Sequence, residues 1–327
     1  MNDDIKVSVL CLTYNHEKYI RQCLDGFIMQ KTNFPFEVIV HDDASTDNTA
    51  AIVREYEEKY PDIIKPIYET ENQYSKGVRI TSTIMFPKAK GKYLAFCEGD
   101  DFWVDPLKLQ KQYDAMEANP DCHMCVCKVR CVDESGVNNI RHYPGISVTH
   151  GKISGDFLIK NSIINYEFHT SGYFVKKCDY NNLIYENPAF AQACPAGDRT
   201  ILFYFGQLGN VYYLSEVLSC YRRLNFGNWS TINSSNNNQI EIKRKFITTI
   251  SLYDIYTKYR FHNYCQNGIH SREFDILLIE KEYLKALSPK YWKFSSFKSK
   301  LKILSQALFP KLMQKYESRK KQKHEQQ

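Results

Sequence analysis

The chain has 327 residues, of which 43% are hydrophobic, and a formal net charge of +6. That is enough apolar material for one large domain and a smaller one, and no run approaches the ~20 apolar residues of a membrane span. The eleven cysteines follow no regular framework and the start, Met1-Asn2-Asp3-Asp4, is wrong for a secretory leader, so the thiols are expected to be reduced, in a cytosol.

Residues 7–12 read as a buried first strand that ends in the polar break Thr13-Tyr14-Asn15. Residues 16–31 then read as a helix with Tyr19, Ile20, Cys23, Leu24 and Phe27 on one face. A second strand, 36–40, runs into His41-Asp42-Asp43-Ala44-Ser45-Thr46-Asp47, where Ser45 or Thr46 can cap a helix through Ile52, Val53 and Tyr56. Residues 63–69 suggest a third strand interrupted by Pro66. A helix is expected within 75–89, its end limited by Pro87. The apolar run Tyr93-Leu94-Ala95-Phe96-Cys97 is a further buried strand, and it delivers Glu98-Gly99-Asp100-Asp101-Phe102-Trp103. Asp105-Pro106 reads as an N-cap followed by Pro at the first helical position, opening an amphipathic helix to Ala118.

This alternation predicts an α/β fold, a mostly parallel sheet covered by helices. Three strands end in polar or acidic residues, at Thr13-Tyr14, Asp42-Asp43 and Asp100-Asp101, and strand ends are where open α/β sheets bind ligands. Packed carboxylates repel one another and require a cation. Oxygen ligands favour Mg²⁺ or Mn²⁺, which shares its shell with phosphates and water. Neither G-x-G-x-x-G nor G-x-x-x-x-G-K-[ST] is present, so a phosphate bound here would depend on a metal for charge neutralisation.

The ordered set of Val7-Ser8-Val9 through Tyr14-Asn15, Glu37 through Asp47, Gly91-Lys92-Tyr93 through Trp103, and Asp105-Pro106-Leu107-Lys108-Leu109-Gln110 resembles family 2 glycosyltransferases with the GT-A fold. A weaker match continues through Gly197-Asp198, Tyr221-Arg222 and Trp229-Ser230, so that the likeness covers roughly the first 230 residues. It implies a nucleotide-sugar site. Thr13, Tyr14 and Asn15 would line the donor pocket, Tyr14 stacking on the base. Asp42 or Asp43 would accept from the base ring N–H, Asp100 would lie near the ribose, and Asp101 would hold Mn²⁺ or Mg²⁺ on the donor diphosphate. His41 departs from the usual small or apolar residue and is expected to be a hydrogen-bonded structural histidine.

Cys122-His123-Met124-Cys125-Val126-Cys127 raises a zinc reading. Cys125 and Cys127 alternate with apolar neighbours at strand period, and no second C-x-x-C or H-x₃-H stands nearby, so a cysteine-rich core strand is expected. Phe168 to Val175 suggests a strand entered through polar residues. The resemblance sets His169, Trp103 and Trp229 on the acceptor side, although a capped strand end also accounts for His169. Gly197-Asp198 opens a helix, and in the family such a pair carries the catalytic base, here Asp198; the alternative is an N-cap stabilised by the helix dipole. Arg222 would meet the diphosphate, or sit on a solvated basic edge. Residues 227–238 read as a loop over donor and acceptor.

From Gln239 onward the composition becomes helical. Residues 291–316 interleave aromatic and aliphatic residues with lysines, suiting either an anionic membrane surface or a packed appendage with a solvated lysine face. The expected division is a catalytic domain over 1–237, a helical extension over 238–317 and a disordered basic tail over 318–327. The implied activity is inverting transfer from a nucleoside-diphosphate sugar, with a lean to UDP, onto a saccharide or lipid-linked acceptor for surface polysaccharide. The expected location is cytoplasmic, or peripheral on the inner membrane face. A nucleotidyltransferase, or a nucleotide-sugar binder without turnover, are the rivals; nothing in the chain demands the salt-steep binding of nucleic acid.

Overall fold

The structure is a computed structural model that describes residues 4–224 and 235–310. It divides into two compact units, one of Met1–Pro188 with Ala196–Thr231 and one of Ala189–Pro195 with Ile232–Gln327. The second unit thus takes up a short piece that lies, in sequence, well before residue 238.

The first unit is built on one ten-stranded mixed sheet. Its strands β1 (Val7–Thr13), β2 (Phe36–Asp42), β3 (Ile64–Tyr68) and β4 (Tyr93–Phe96) lie in the order β3-β2-β1-β4, all parallel. β1, β2 and β4 are almost wholly buried, as expected of parallel strands covered on both faces, and their near-continuous apolar runs follow from that. Because β1 lies between β2 and β4, the three polar strand ends come together.

Beyond β4 the sheet becomes mixed. β5 (Phe102–Trp103), β6 (Cys122–Val132), β7 (Asn139–Tyr143), β8 (Gly151–Ile153), β9 (Tyr173–Lys176) and β10 (Asn210–Arg222) complete the sheet. Only β6 and β10 pair in parallel; β9 is antiparallel to both β4 and β6, and β5, β7 and β8 are antiparallel to their partners. The reversal has a consequence for chemistry. Ala95 of β4 pairs with Phe174 of β9, so the residues leading into β9 arrive beside those leaving β4. Likewise Trp103 pairs with Ser219 and Phe102 with Cys220, which carries Arg222 to the acidic turn.

The first helix, α1 (Ile20–Ile28), starts later than its apolar spacing suggested. The amides of His16 and Glu17 are held instead by Thr49 Oγ1 at 2.8 Å and Asp47 Oδ2 at 3.0 Å. These side chains precede or open α2 (Thr49–Lys59). The expected helix within 75–89 is a set of short turns, 3₁₀ at Tyr74–Lys76 and Phe86–Lys88 with a wide turn at Thr81–Met85 between. Gly77, at φ +76°, and Pro87 prevent one regular helix. α3 (Lys108–Ala118) begins three residues beyond Asp105, whose Oδ1 accepts from the Leu107 amide at 2.7 Å.

β6 is a core strand, as its alternation suggested, with Cys122, Cys125, Cys127 and Cys131 all buried. Among the described residues no three His, Cys, Asp or Glu side chains form a metal-binding group. Nine of the eleven cysteines are buried; Cys178 is exposed and Cys194 partly so. In the second unit, Ala189–Ala193 packs Phe190 against Tyr253 of the helix Asn236–Tyr256, ring centroids 5.2 Å apart. That helix is tied to His262–Ile279 by Lys243 and Asp275 at 2.6 Å. Phe274, Ala286 and Ile303 form the small core against which Phe297–Leu308 packs.

Candidate active site

The end of β1 makes the floor. Thr13 is fully buried; its Oγ1 meets His16 Nδ1 at 3.2 Å and its carbonyl accepts from the Asp43 amide at 3.0 Å. A Cβ on Gly99 would stand 2.6 Å from Thr13 Oγ1, so only glycine lets the acidic turn lie against β1. Tyr14, by contrast, is 43% exposed. Asn15, at φ +54°, braces two loops: its amide donates to Ser45 Oγ at 2.9 Å and its Oδ1 accepts from the Thr46 amide at 2.8 Å. Asparagine tolerates that left-handed backbone. His41 is buried with Nε2 3.3 Å from Glu69 Oε1, a structural histidine.

The two acids after β2 are not equivalent. Asp43 gives both oxygens to backbone, accepting from Gln73 N at 2.7 Å and Tyr74 N at 3.1 Å. Asp42 accepts from Ser45 N at 3.2 Å through Oδ2, while its buried Oδ1 has no partner. Asp42 therefore retains an acceptor atom for a ligand.

The turn after β4 concentrates negative charge. Asp100 and Asp101 are both buried, and Asp100 Oδ1 has no partner. Asp101 Oδ1 accepts from the Arg222 amide at 2.9 Å. Burial, followed by the nearby Asp100, Cys97 and Glu98, pushes the Asp101 carboxyl well above its usual range. Glu98 keeps a solvent-facing side chain, yet desolvation within the crevice and the charges of Asp100 and Asp198 raise it to about 8. A buried carboxylate lacking a hydrogen bond or a cation is costly, so these oxygens suit a divalent ion.

For Arg222 the expectation of a solvated basic edge fails. It is 2% exposed, so it is no solvated edge. Its guanidinium is engaged by protein groups: Nε donates to the Asp100 carbonyl at 3.0 Å, Nη1 to the Glu134 carbonyl at 2.8 Å, and Nη2 to Gln22 Oε1. It lies between the Tyr19 and Phe102 rings, at 4.9 and 5.0 Å. Tyr19 in turn donates to Glu134 Oε1 at 2.9 Å. Gly136, at φ +80°, admits the guanidinium, for a Cβ there would be 2.6 Å from Nη1. Arg222 is a latch on the acidic turn.

His169 comes to the cluster through the antiparallel β9. Its Nδ1 accepts from the Ser171 amide at 3.3 Å and meets Ser171 Oγ at 3.0 Å, capping the turn Thr170–Gly172. The ring stacks on Tyr221 at 4.1 Å. Burial and then Arg141 push its pKa down to about 3, so the ring is neutral, and the 3.9 Å to Asp101 Oδ2 is no ion pair. The turn is held from below. Gln112 Nε2 donates to the Gly172 carbonyl at 3.0 Å, and the wholly buried Lys108 donates to Gln112 Oε1 at 2.7 Å.

Trp103 is not an acceptor platform. It is 2% exposed, packs edge-on to Phe27 at 4.7 Å, and carries the Lys108 ammonium 4.1 Å from its ring centre. A Cβ on Gly26 would stand 3.0 Å from the Trp103 amide nitrogen, so glycine there lets α1 lie close to β5. Trp229 lies outside the described residues.

Asp198 stands in the first turn of the helix Gly197–Leu208. The cap position is Ala196 and makes no side-chain cap, so Asp198 is not an N-cap. Its Oδ1 accepts from the Arg199 amide at 2.7 Å. Its charge raises the pKa of Glu98, Tyr166 and Tyr173. Asp198 lies far along the chain from residues 98–101, yet its charge bears on Glu98. Sequence reasoning put Glu98 in the acidic turn without giving it a role, and it gave none to Tyr166, Lys108 or Gln112. Lys108 and Gln112 carried a signal, at i and i+4 on one helix face.

Comparison with known proteins shows the family and the fold. The family model described as glycosyl transferase family 2 matches residues 8–180. An uncharacterized protein of Mycobacterium tuberculosis is 35% identical over 227 residues, which span 68% of this chain and 60% of that protein's length. The putative teichuronic acid biosynthesis glycosyltransferase TuaG of Bacillus subtilis is 34% identical over 110 residues, 34% of this chain and 41% of that one. Among solved structures, S. aureus TarS (residues 1-349) in complex with UDP-GlcNAc superposes with a TM-score of 0.56 at 17% identity, covering 92% of this chain and 87% of that one. The fold is that of GT-A glycosyltransferases.

Proposed function

We propose, from the premise that the chain belongs to glycosyl transferase family 2, that it moves a sugar from a nucleoside-diphosphate sugar, UDP-linked by preference, to a hydroxyl of a saccharide or lipid-linked acceptor in surface polysaccharide synthesis. The single observation that carries this reading is the convergence of the ends of β1, β2 and β4, where the buried Asp42 Oδ1 and Asp100 Oδ1 stand without partners. A donor site and a base on opposite sides of one crevice are what a single inverting displacement needs. Exposed Tyr14 stacks on the base, and the unpartnered Asp42 Oδ1 accepts its ring N–H. Asp100 lies toward the ribose. Asp101 holds Mg²⁺ or Mn²⁺, which when bound stabilises charge on the leaving diphosphate. Asp198 takes the proton of the attacking hydroxyl. His169, neutral, stands ready as a hydrogen-bond partner for the acceptor. The reading includes a peripheral position on the inner face of a membrane, where lipid-linked acceptors are found.

The test is Asp198→Asn. Asparagine keeps the size but takes no proton, so turnover should fall by about 10²–10⁴. Donor affinity and melting temperature should stay near wild type, measured with a panel of nucleotide sugars in Mn²⁺ and in chelator. Near-normal turnover in the variant would remove Asp198 from the mechanism. Equal donor binding in chelator would remove the metal.

A further inference from the structure

The helix Phe297–Leu308 packs on the second unit through Ile303, which is 5% exposed and sits with Phe274 and Ala286. A helix that docks by one face ordinarily turns polar residues outward. This one does not. Phe297, Leu301, Leu304 and Leu308 are all exposed, at 76, 51, 39 and 59%. At about 100° per residue they fall within roughly 60° of one another, and Ile303 lies about 130° from the middle of that stripe. Phe309 and Trp292 are also exposed.

Charge identifies what this stripe fits. Lys298 and Lys300 flank it on its two sides, about 90° and 70° from its centre, and the Lys300 ammonium stands 4.0 Å from the Trp292 ring centre. From Tyr283 to Pro310 there are six lysines and no acidic residue. Beyond Pro310 the sequence adds Lys311, Lys315, Arg319, Lys320, Lys321 and Lys323 against Glu317 and Glu325. A second copy would set lysine rows against lysine rows. An anionic bilayer surface accepts both parts: aliphatic side chains enter the acyl boundary while lysine stems snorkel to the headgroups. No helix among the described residues is long and apolar enough to cross a membrane, so a helix lying in the interface is the mode of contact.

We propose that the Phe297-Leu301-Leu304-Leu308 face of this helix binds the surface of an anionic lipid bilayer. This gives a surface to the peripheral position assumed in the functional reading, on which it rests. The experiment is sedimentation of the full chain with vesicles of phosphatidylcholine alone or with phosphatidylserine added. Two triple variants accompany it, Phe297→Ser/Leu301→Ser/Leu304→Ser and Lys298→Gln/Lys300→Gln/Lys302→Gln. Wild type should pellet with the serine-lipid vesicles and far less with the neutral ones. The apolar variant should lose partitioning by at least tenfold. The lysine variant should lose most of the anionic preference, about fivefold per lysine. Ile303 is kept in both, so melting temperature and donor binding should not move. Wild type that stays in the supernatant, or binding that survives both variants, overturns the proposal. A wild-type dimer in light scattering that the apolar variant makes monomeric also overturns it, in favour of a second copy. Vesicle binding without transfer from any nucleotide sugar would refute the enzymatic reading and leave the lipid surface standing.

Discussion

Exchanging Arg222 for Lys keeps the charge and removes the planar fork. The guanidinium makes three hydrogen bonds, to the Asp100 carbonyl, the Glu134 carbonyl and Gln22, between two aromatic rings. A lysine ammonium at the end of a flexible stem can keep one of them. Each hydrogen bond to a charged group contributes about 1.5–3 kcal/mol, and loss of a ring contact about 0.5–2 kcal/mol. Partial relaxation reduces the sum, so Arg222→Lys is expected to cost about 3–5 kcal/mol, the range for breaking a buried ionic group's contacts. The assay is equilibrium urea unfolding without donor, paired with calorimetric donor titration. Donor affinity should weaken as well, since the Asp100 carbonyl is no longer held. A variant as stable as wild type that nonetheless loses donor affinity would refute the latch. It would return Arg222 to the diphosphate.

Gly99→Ala should destabilise by about 1–3 kcal/mol through overpacking against Thr13 and abolish donor binding; Gly197→Ala, with nothing within 4 Å of the new Cβ, is the control. Thermal melts and donor titration of both variants decide it. Lys108, buried without a carboxylate, has its pKa lowered by desolvation. Above that folded pKa and below about 10.4, the unfolded chain holds a proton that the native state gives up, so this group makes stability rise with pH. Lys108→Met should lose that rise, read as the difference in urea midpoint between pH 7.5 and about 10.4 for the two proteins; identical slopes would count against it.

The parallel half of the sheet was legible because its strands are apolar runs with abrupt polar ends, a signal contained within each segment. The acidic turn was legible for the same reason, and Asp198 through its place in an ordered set of motifs. What escaped depended on pairing. β9 and β5 run antiparallel, and nothing in Tyr173–Lys176 or Phe102–Trp103 states a direction. Without that pairing, Arg222 could not be matched to an Asp100 carbonyl 122 residues away. Trp103 was set on the acceptor side by resemblance, and a two-residue strand carries no period to say which face is buried. The difference between Asp42 and Asp43 rests on two amides from the following loop, which no local pattern announces.

The burial of nine cysteines turns the protein into its own reporter. Thiolate is the reactive form, and burial both hides the sulfur and raises the thiol pKa, as at Cys23 and Cys125. A maleimide or disulfide reagent should therefore modify Cys178 and Cys194 first, one in each compact unit. These give two native positions for a dye or spin label. The remaining nine should react only when their part of the fold opens, so the slow phase of labelling measures opening free energy at neutral pH without denaturant.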